Sequence, residues 1–572
     1  MTTAQPATPR YTLGVNINLH DSSAALLRDG VLIRLVEQEK VGRRKHALGQ
    51  PPALAIQQCL AAESVSPGDL AAVAIGWDHR GSRFGQSRRF TPDGLRRMLF
   101  PDQPDLAMPP VTWVPHHLAH AASAYYPCPA DPVAIIVIDG AGETQCSTIA
   151  RGHGGAIEIL REWPIAQSLG FFYAAASRWA GLSEWGAGKL MGLAAYGRPR
   201  GGLPLHRRPD GYELVVAGAP GDADDPGRRR PLLGFDPVYE RLLYATFGCH
   251  YPYAERRGEE AIAYADFAAT VQDALEEAVL GLAEQARRLV DSPVLVLAGG
   301  VGMNCSMVGR LVRSGLYDRV YVPPVPSDVG VSVGAALFEA ERAGVRQQTR
   351  FDHAYWSLDV SADQAAAAAA GAGLVSRPLP EPELARQAAA ALSAGQVVAW
   401  ARGRGEIGQR ALGARSILAD PRDRRNHERL NLIKGREMWR PVAPSVLAEH
   451  LDEVMATPVG QPARFMLAAG VLRPELRARM PAVTHVDGSA RPQEVVRDTN
   501  PAYWTLIEEF RQRTGVPAVV NTSFNLAGEP IVNTAGEAVE TFVRAKDIDL
   551  LVLADRLVAR GESDLPATAE AT

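Results

Sequence analysis

An α/β protein built on a duplicated strand module is what this sequence predicts, and three observations predict it. The run Leu13 to Asp21, the apolar Ser22 to Leu27, the turn Asp29-Gly30 and the run Val31 to Val36 read as strand, polar loop, strand, tight turn, strand. The same plan returns in Ala134 to Asp139, a Gly-rich loop, a short apolar run, a Gly-rich turn at Gly152 to Gly155, and Ala156 to Ile159. Pro293 to Gly300 is a continuous apolar run ending in glycines, the pattern of a buried strand that opens onto a ligand turn. A repeated module followed by helices implies a duplicated α/β domain with a ligand cleft between its halves.

The other elements follow in order. Ala261 to Leu289 spaces its apolar residues three and four apart, as a helix does. Phe351 to Val360 mixes aromatic and turn residues and breaks the pattern, and Ala362 to Ala370 is an alanine-rich helical stretch. A boundary is expected there, with residues 1–352 as one unit and 358–572 as a second α/β unit whose polar tail after Gly561 is frayed.

Composition narrows the function classes. A chain of 572 residues exceeds one hydrophobic core, and 46% hydrophobic with 22% charged residues is ordinary for a globular protein. A net charge of −4 supplies no electrostatic reason to bind nucleic acid or an anionic membrane, so neither is expected as a partner. The cysteines Cys59, Cys128, Cys146, Cys249 and Cys305 are dispersed, with no Cys-x-x-Cys pair. With no apolar leader at the N-terminus and no window near about 18 apolar residues, the expectation is a reduced, cytoplasmic protein without a membrane span.

His116 and His120 stand four apart, so on a helix both imidazoles share one face and can share a metal; as an isolated pair they read equally as core or surface histidines. Asp139 closes one apolar strand, and Asp328 opens a Gly- and Val-rich segment, where it is a metal ligand or a helix cap. Two imidazoles with carboxylates suit Fe(II), Zn or Mn better than Ca or Mg. Gly140 and Gly142 lie in a turn able to offer backbone N–H groups to an anion, and Gly300, Val301 and Asn304 in a second such turn; the other reading of each is a tight structural turn. Lys189 follows a glycine and sits either near phosphate or on a solvated helix face.

Together these segments resemble the NodU/CmcH family of O-carbamoyltransferases, which includes tobramycin and cephalosporin carbamoyltransferases. The resemblance runs nearly end to end: HDSSAAL (20–26), HHLAHAASAYY (116–126), DGAGE (139–143), SLGFFY (168–173), GKLMGLAAYG (188–197), AGGVGMN (298–304), PPVPSDVG (323–330), GRGEIGQRALGARSIL (403–418), WRPVAPS (439–445) and NTSFNLAGEPIV (521–532). It implies an N-terminal unit of actin/sugar-kinase fold, like the universal tRNA threonylcarbamoyl transferase, and a C-terminal unit like the YrdC-type adenylate-forming proteins. The implied cofactors are ATP, carbamoyl phosphate and a divalent metal, Fe(II) first, with Zn, Mn or Mg as alternatives. The implied partner is a small-molecule hydroxyl acceptor, a glycosylated or polyketide natural product in antibiotic tailoring.

By motif, the resemblance gives His116, His120, Asp139 and Asp328 as metal ligands and Gly300, Val301 and Asn304 as nucleotide contacts. It gives Arg410, Lys434, Arg440, Arg491, Asn521 and Ser523 to carbamoyl phosphate, an assignment that fits the donor needs of a dianion with a planar amide. His20 is implied as the base, or as an acceptor contact only, with Lys45 close by. Gln409 stands where the family commonly has proline. The loop Trp77 to Phe90, rich in arginine and aromatics, either faces the acceptor or is a solvated surface; facing it, those arginines suit a neutral or acidic acceptor. The rival readings are a sugar-kinase-like phosphotransferase and a carbamoyltransferase acting on tRNA or protein. The oligomeric state, monomer or homodimer, is left open by the sequence.

Overall fold

The computed structural model describes residues 9–17, 20–81, 90–215, 243 and 258–566. Residues 82–89 of the Trp77 to Phe90 loop and the tail from 567 lie outside the described residues.

The first module forms β1 (Tyr11–Asn16), β2 (Ser23–Arg28) and β3 (Val31–Glu37), an antiparallel meander. Its tight turn falls at Asp29-Gly30, both in the left-handed region. β4 (Leu70–Ile75) and β5 (Val111–Trp113) add in parallel beside β1, giving the order β3-β2-β1-β4-β5. The second module repeats this. β6 (Val133–Ile138), β7 (Gln145–His153) and β8 (Ala156–Pro164) form a meander. Past the hairpin β9–β10 (Leu205–Arg208, Gly211–Leu214), β11 (Val294–Ala298) and β12 (Arg319–Tyr321) add in parallel beside β6, in the order β12-β11-β6-β7-β8. Two sheets of one topology make the duplicated α/β domain expected from the repeat, with the actin/sugar-kinase-like fold that the resemblance implies.

Every residue of β6 and β11 is buried, which is why both read as unbroken apolar runs. The helix Ala265–Leu289 covers β6, and helices His116–Tyr125 and Val331–Arg342 pack against each other. A Cβ on Gly334 would stand 1.8 Å from the carbonyl oxygen of Ala119, so only glycine permits this approach. The close crossing carries Asp328, just ahead of the second helix, toward the histidines of the first.

An eight-stranded mixed sheet occupies the second half, ordered Val375–Pro378, Arg556–Ala559, Leu550–Leu553, Val398–Ala401, Arg415–Ala419, Ala518–Ser523, Ala443–Leu447 and Gln493–Val495. Helices Glu381–Ser393 and Pro501–Thr514 pack together on it. The alanine-rich stretch is the helix Ala362–Gly371, started by a reciprocal Ser361/Gln364 cap. The halves interlock through the segment after β3. Lys40 and Glu37, 2% and 1% exposed, form an ion pair; Lys40 Nζ also donates to the Glu406 carbonyl at 2.7 Å, and Gly408 N donates to Glu37 Oε1 at 3.1 Å. Arg43 donates to the carbonyls of Ile531 and Pro530 at 2.8 and 3.0 Å. Among the described residues, no helix is long and apolar enough to cross a membrane.

Candidate metal centre and anion cleft

His116 is the first residue of its helix, and its backbone N–H donates to both carboxylate oxygens of Glu143, at 3.0 and 3.2 Å, so an outside carboxylate caps the helix. Its Nδ1 lies 3.1 Å from the Gly76 carbonyl, a partner that only an N–H can satisfy, so the neutral ring turns a bare Nε2 inward. That Nε2 stands 3.2 Å from His120 Nε2, 3.4 Å from Asp139 Oδ2 and 3.6 Å from Asp328 Oδ1. His120 Nε2 is 3.4 Å from Asp328 Oδ1 and 3.9 Å from Asp139 Oδ2. One ligand atom from each of the four residues lies within 4.8 Å of the others, and all four residues are buried.

This donor set fits a divalent ion. A tetrahedral ion about 2.05 Å from each nitrogen requires the nitrogens about 3.3 Å apart, close to the spacing seen. Two facing imidazole lone pairs and two buried carboxylates are mutually repulsive unless a cation or protons lie between them. Burial opposes charge on His116, yet Asp328 and then Asp139 push it up to about 10, which measures how strongly the site attracts positive charge. Asp328 acts through its side chain and does not cap the helix; Ser327 holds the cap position without a side-chain cap bond. His117, one residue along, faces away to Thr148 Oγ1 at 2.7 Å and is held neutral, down to about 3, by burial and then by His116.

The glycine turns are committed within the protein. Gly142 N donates to the Gln145 carbonyl at 2.6 Å, and a Cβ on Gly140 or Gly142 would strike Phe171 or His117 at 2.8 Å. Packing alone therefore requires both glycines, and the Gly142 amide is not open to an anion. Gly300 N donates to Asp139 Oδ1 at 2.8 Å, so this amide orients a carboxylate of the metal cluster. A Cβ there would stand 2.8 Å from that same oxygen. Gly300→Ala is therefore expected to displace Asp139 and make bound metal substoichiometric, as read by elemental analysis of the purified chain. Val301 is buried in the same turn. Asn304 caps the helix Cys305–Arg313 through Met307 N at 3.0 Å and exchanges two 3.0 Å bonds with Gln272, so its amide is occupied from inside.

Cations crowd the facing cleft. Arg410, Arg436, Arg440 and Arg491 are half-buried and mutually close; Glu437, 3.5 Å from Arg440, is the carboxylate that pairs with this group among the described residues. Burial first, then Arg491, lowers Arg410 to about 9; burial, then Arg440 and Arg491, lowers Arg436 to about 9. The buried Nε atoms of Arg410 and Arg491 have no hydrogen-bond partner. Lys45, an exposed residue, joins the group at its edge: desolvation by its neighbours and then Arg436, Arg440 and Lys189 depress it, against Glu39. Lys189 Nζ, half-buried, pairs with Glu437 Oε1 at 2.6 Å across the two halves. Lys434 Nζ is ringed by four acceptors, the carbonyl and Oγ of Ser523 at 2.5 and 3.0 Å, the Asn525 carbonyl at 2.6 Å and Asn525 Oδ1, so its protons are taken up at the end of the strand Ala518–Ser523 and the turn after it. Asn521 Nδ2 lies 3.0, 2.9 and 3.0 Å from the Ala411 carbonyl, Ser445 Oγ and Gln493 Oε1, two protons shared among three acceptors, while its buried Oδ1 accepts nothing.

Half-buried arginines that face one another with so little acid between them are arranged for an anion. Two family models match: "Carbamoyltransferase N-terminus" over residues 11–84, 86–204 and 243–337, and "Carbamoyltransferase C-terminus" over 389–560. The chain belongs to the carbamoyltransferase family. It is 34% identical over 567 residues to nodulation protein NolNO of Sinorhizobium fredii, covering 95% of this chain and 80% of that one. It is 36% identical over 454 residues to nodulation protein NolO of Bradyrhizobium diazoefficiens, covering 79% of each. The 3'-hydroxymethylcephem-O-carbamoyltransferase of Amycolatopsis lactamdurans is 33% identical over 389 residues, 65% of this chain and 69% of that one. The enzyme is a carbamoyltransferase.

Sequence reasoning singled out neither Arg436 nor Glu143. In a chain whose basic charge is nearly all arginine, Arg436 carries no local mark; only the fold shows that it is half-buried beside Arg440 and Arg491, with Glu437 set against them. Glu143 was visible as the end of the DGAGE segment, but its service to a helix that begins 27 residues earlier was not.

Proposed function

We propose that this carbamoyltransferase makes carbamoyl adenylate from carbamoyl phosphate and ATP in the arginine-lined cleft, then transfers the carbamoyl group to a small-molecule hydroxyl at the four-ligand centre. The cluster of Arg410, Arg436, Arg440 and Arg491 carries this reading, since dianionic and polyphosphate substrates supply the charge it lacks. The unpaired Asn521 Oδ1 supports it, as an acceptor for the carbamoyl NH2. We place the division of labour at the boundary near residues 352–358.

Stoichiometry fixes what must leave. Carbamoyl phosphate, ATP and one water give carbamoyl adenylate, phosphate and pyrophosphate; transfer to a hydroxyl then releases AMP and a proton. His20 takes that proton. Its Nδ1 lies 3.3 Å from Asp21 Oδ2, which holds the tautomer whose Nε2 is bare. Burial opposes charge on this ring, but Asp21 and then Asp328 push it up to about 9, so with bare carboxylates it stays protonated at neutral pH. His116, His120, Asp139 and Asp328 would hold the divalent ion, Fe(II) by preference. When bound, the ion supplies positive charge that neutralises those carboxylates and stabilises developing negative charge. Lys45, adjacent to His46 in sequence and within the field of Arg436 and Arg440, is proposed to serve the passage from one station to the other.

The cephem relative's name supports a small-molecule hydroxyl as acceptor, and a natural-product acceptor is proposed here too. Incubating the purified enzyme with carbamoyl phosphate and ATP should release pyrophosphate and phosphate in equal amounts, and omission of either substrate should stop both. Phosphate without pyrophosphate would exclude the adenylate route while leaving carbamoyl transfer intact.

A further inference from the structure

Beside the metal centre two non-glycine residues at positive φ meet, Asp21 (φ 51) and His46 (φ 60), and a third, Ser183 (φ 66), stands two residues before the indole that touches them. Such conformations persist where the surroundings impose them, and they gather at working sites. The side chains they place are in contact. Asp21 bridges two imidazoles, with Oδ1 3.3 Å from His46 Nδ1 and Oδ2 3.3 Å from His20 Nδ1. Trp185, two residues after Ser183, stacks on His46 at 4.5 Å and 22° and stands edge-on to His20 at 5.3 Å and 75°.

The turn that presents this indole is built with care for its position. Ser177 Oγ donates to the Ser183 carbonyl at 2.7 Å, and Gly186 N donates to that carbonyl at 3.1 Å. A Cβ on Gly186 would stand 2.7 Å from Ser177 Oγ. Yet the ring so fixed is half-buried, and its N–H has no hydrogen-bond partner among the described residues. A tryptophan placed for packing buries its ring and pairs its N–H. This one keeps part of its ring and its donor available next to the proton-accepting histidine.

We propose that Trp185, backed by His46, is the platform on which the acceptor lies. The acceptor class it fits carries the reactive hydroxyl on, or one carbon from, a saturated ring with a face of C–H bonds. That face stacks on the indole, a ring oxygen or neighbouring hydroxyl accepts from the indole N–H, and the reactive hydroxyl is directed toward His20. The inference rests on the preceding assignment of carbamoyl transfer to the His20 side of the metal centre.

The test uses the full-length, metal-loaded enzyme with carbamoyl phosphate, ATP and two probe acceptors, methyl β-D-glucopyranoside and glycerol. The wild type is expected to favour the glucoside by about tenfold in kcat/KM, and Trp185→Ala to lose about tenfold on the glucoside alone, mostly in KM. Trp185→Phe should recover most of that loss. Carbamoyl-phosphate-dependent pyrophosphate release should be unchanged in both variants, which also reports that they fold. An equal loss on both probes, or a loss of pyrophosphate release in the variants, would show a structural role and overturn the proposal. No preference for the glucoside in the wild type, or no turnover of it, would overturn it as well. Absence of pyrophosphate release in the wild type would instead sink the adenylate reading beneath it, and the platform with it.

Discussion

His120→Ala is expected to abolish metal retention and carbamoyl transfer while leaving pyrophosphate release near the wild-type rate. The imidazole lost is fully buried, and its Nε2 faces His116 Nε2 at 3.2 Å and Asp328 Oδ1 at 3.4 Å. The remaining donors are one imidazole and two carboxylates, a weaker and harder set for a borderline ion. Loss of an outer partner of a metal ligand costs about 10–100-fold, so loss of a ligand itself should exceed about a hundredfold in transfer from supplied carbamoyl adenylate. In the proposed scheme activation takes place among residues of the other half, so it should survive. Simultaneous loss of both steps would show that the stations are not separate.

Arg436→Gln should have the converse effect, and with an opposite sign in stability. Carbamoyl-phosphate-dependent pyrophosphate release is expected to fall by about a hundredfold or more, on the scale of removing one donor aimed at developing charge. Transfer from supplied carbamoyl adenylate should persist. The ligand-free variant should also melt at a higher temperature than the wild type. Burial, then Arg440 and Arg491, depress Arg436 to about 9. A cation whose folded pKa lies below its unfolded value binds its proton less tightly in the fold, so at neutral pH, below both values, its charge destabilises the native state. Removing it relieves that repulsion. A lower melting temperature together with lost activity would instead mark Arg436 as a scaffold residue.

The duplicated fold was legible because each module wrote its whole local plan into the chain. The meander of β1 to β3 needs short alternating runs and a left-handed turn, and Asp29-Gly30 announces that turn. The metal cluster was half legible. Four-residue spacing on a helix is a local fact, whereas the approach of Asp328 depends on Gly334 meeting Ala119, which no local pattern expresses. The glycine segments were legible as turns that offer amides to an anion or serve structure alone; the partner of Gly142, Gln145, lies within the same turn, but that of Gly300, Asp139, is 161 residues away and no local pattern names it. His46 and Trp185 passed unmarked for the same reason, since their meeting joins segments about 140 residues apart.

The plug formed by Lys40 and Glu37 has a consequence for how such a protein can be divided or recombined. Were the chain cut near residue 355 and the pieces expressed separately, the first would present a lysine and a glutamate lacking their contacts to the Glu406 carbonyl and Gly408 amide. The second would expose the apolar and backbone surface that had accepted them. Chimeras that graft another enzyme's C-terminal half should therefore stand or fall on whether the graft supplies a turn matching 406–408, before any question of catalytic compatibility arises. The two halves share a joint that neither piece can close alone.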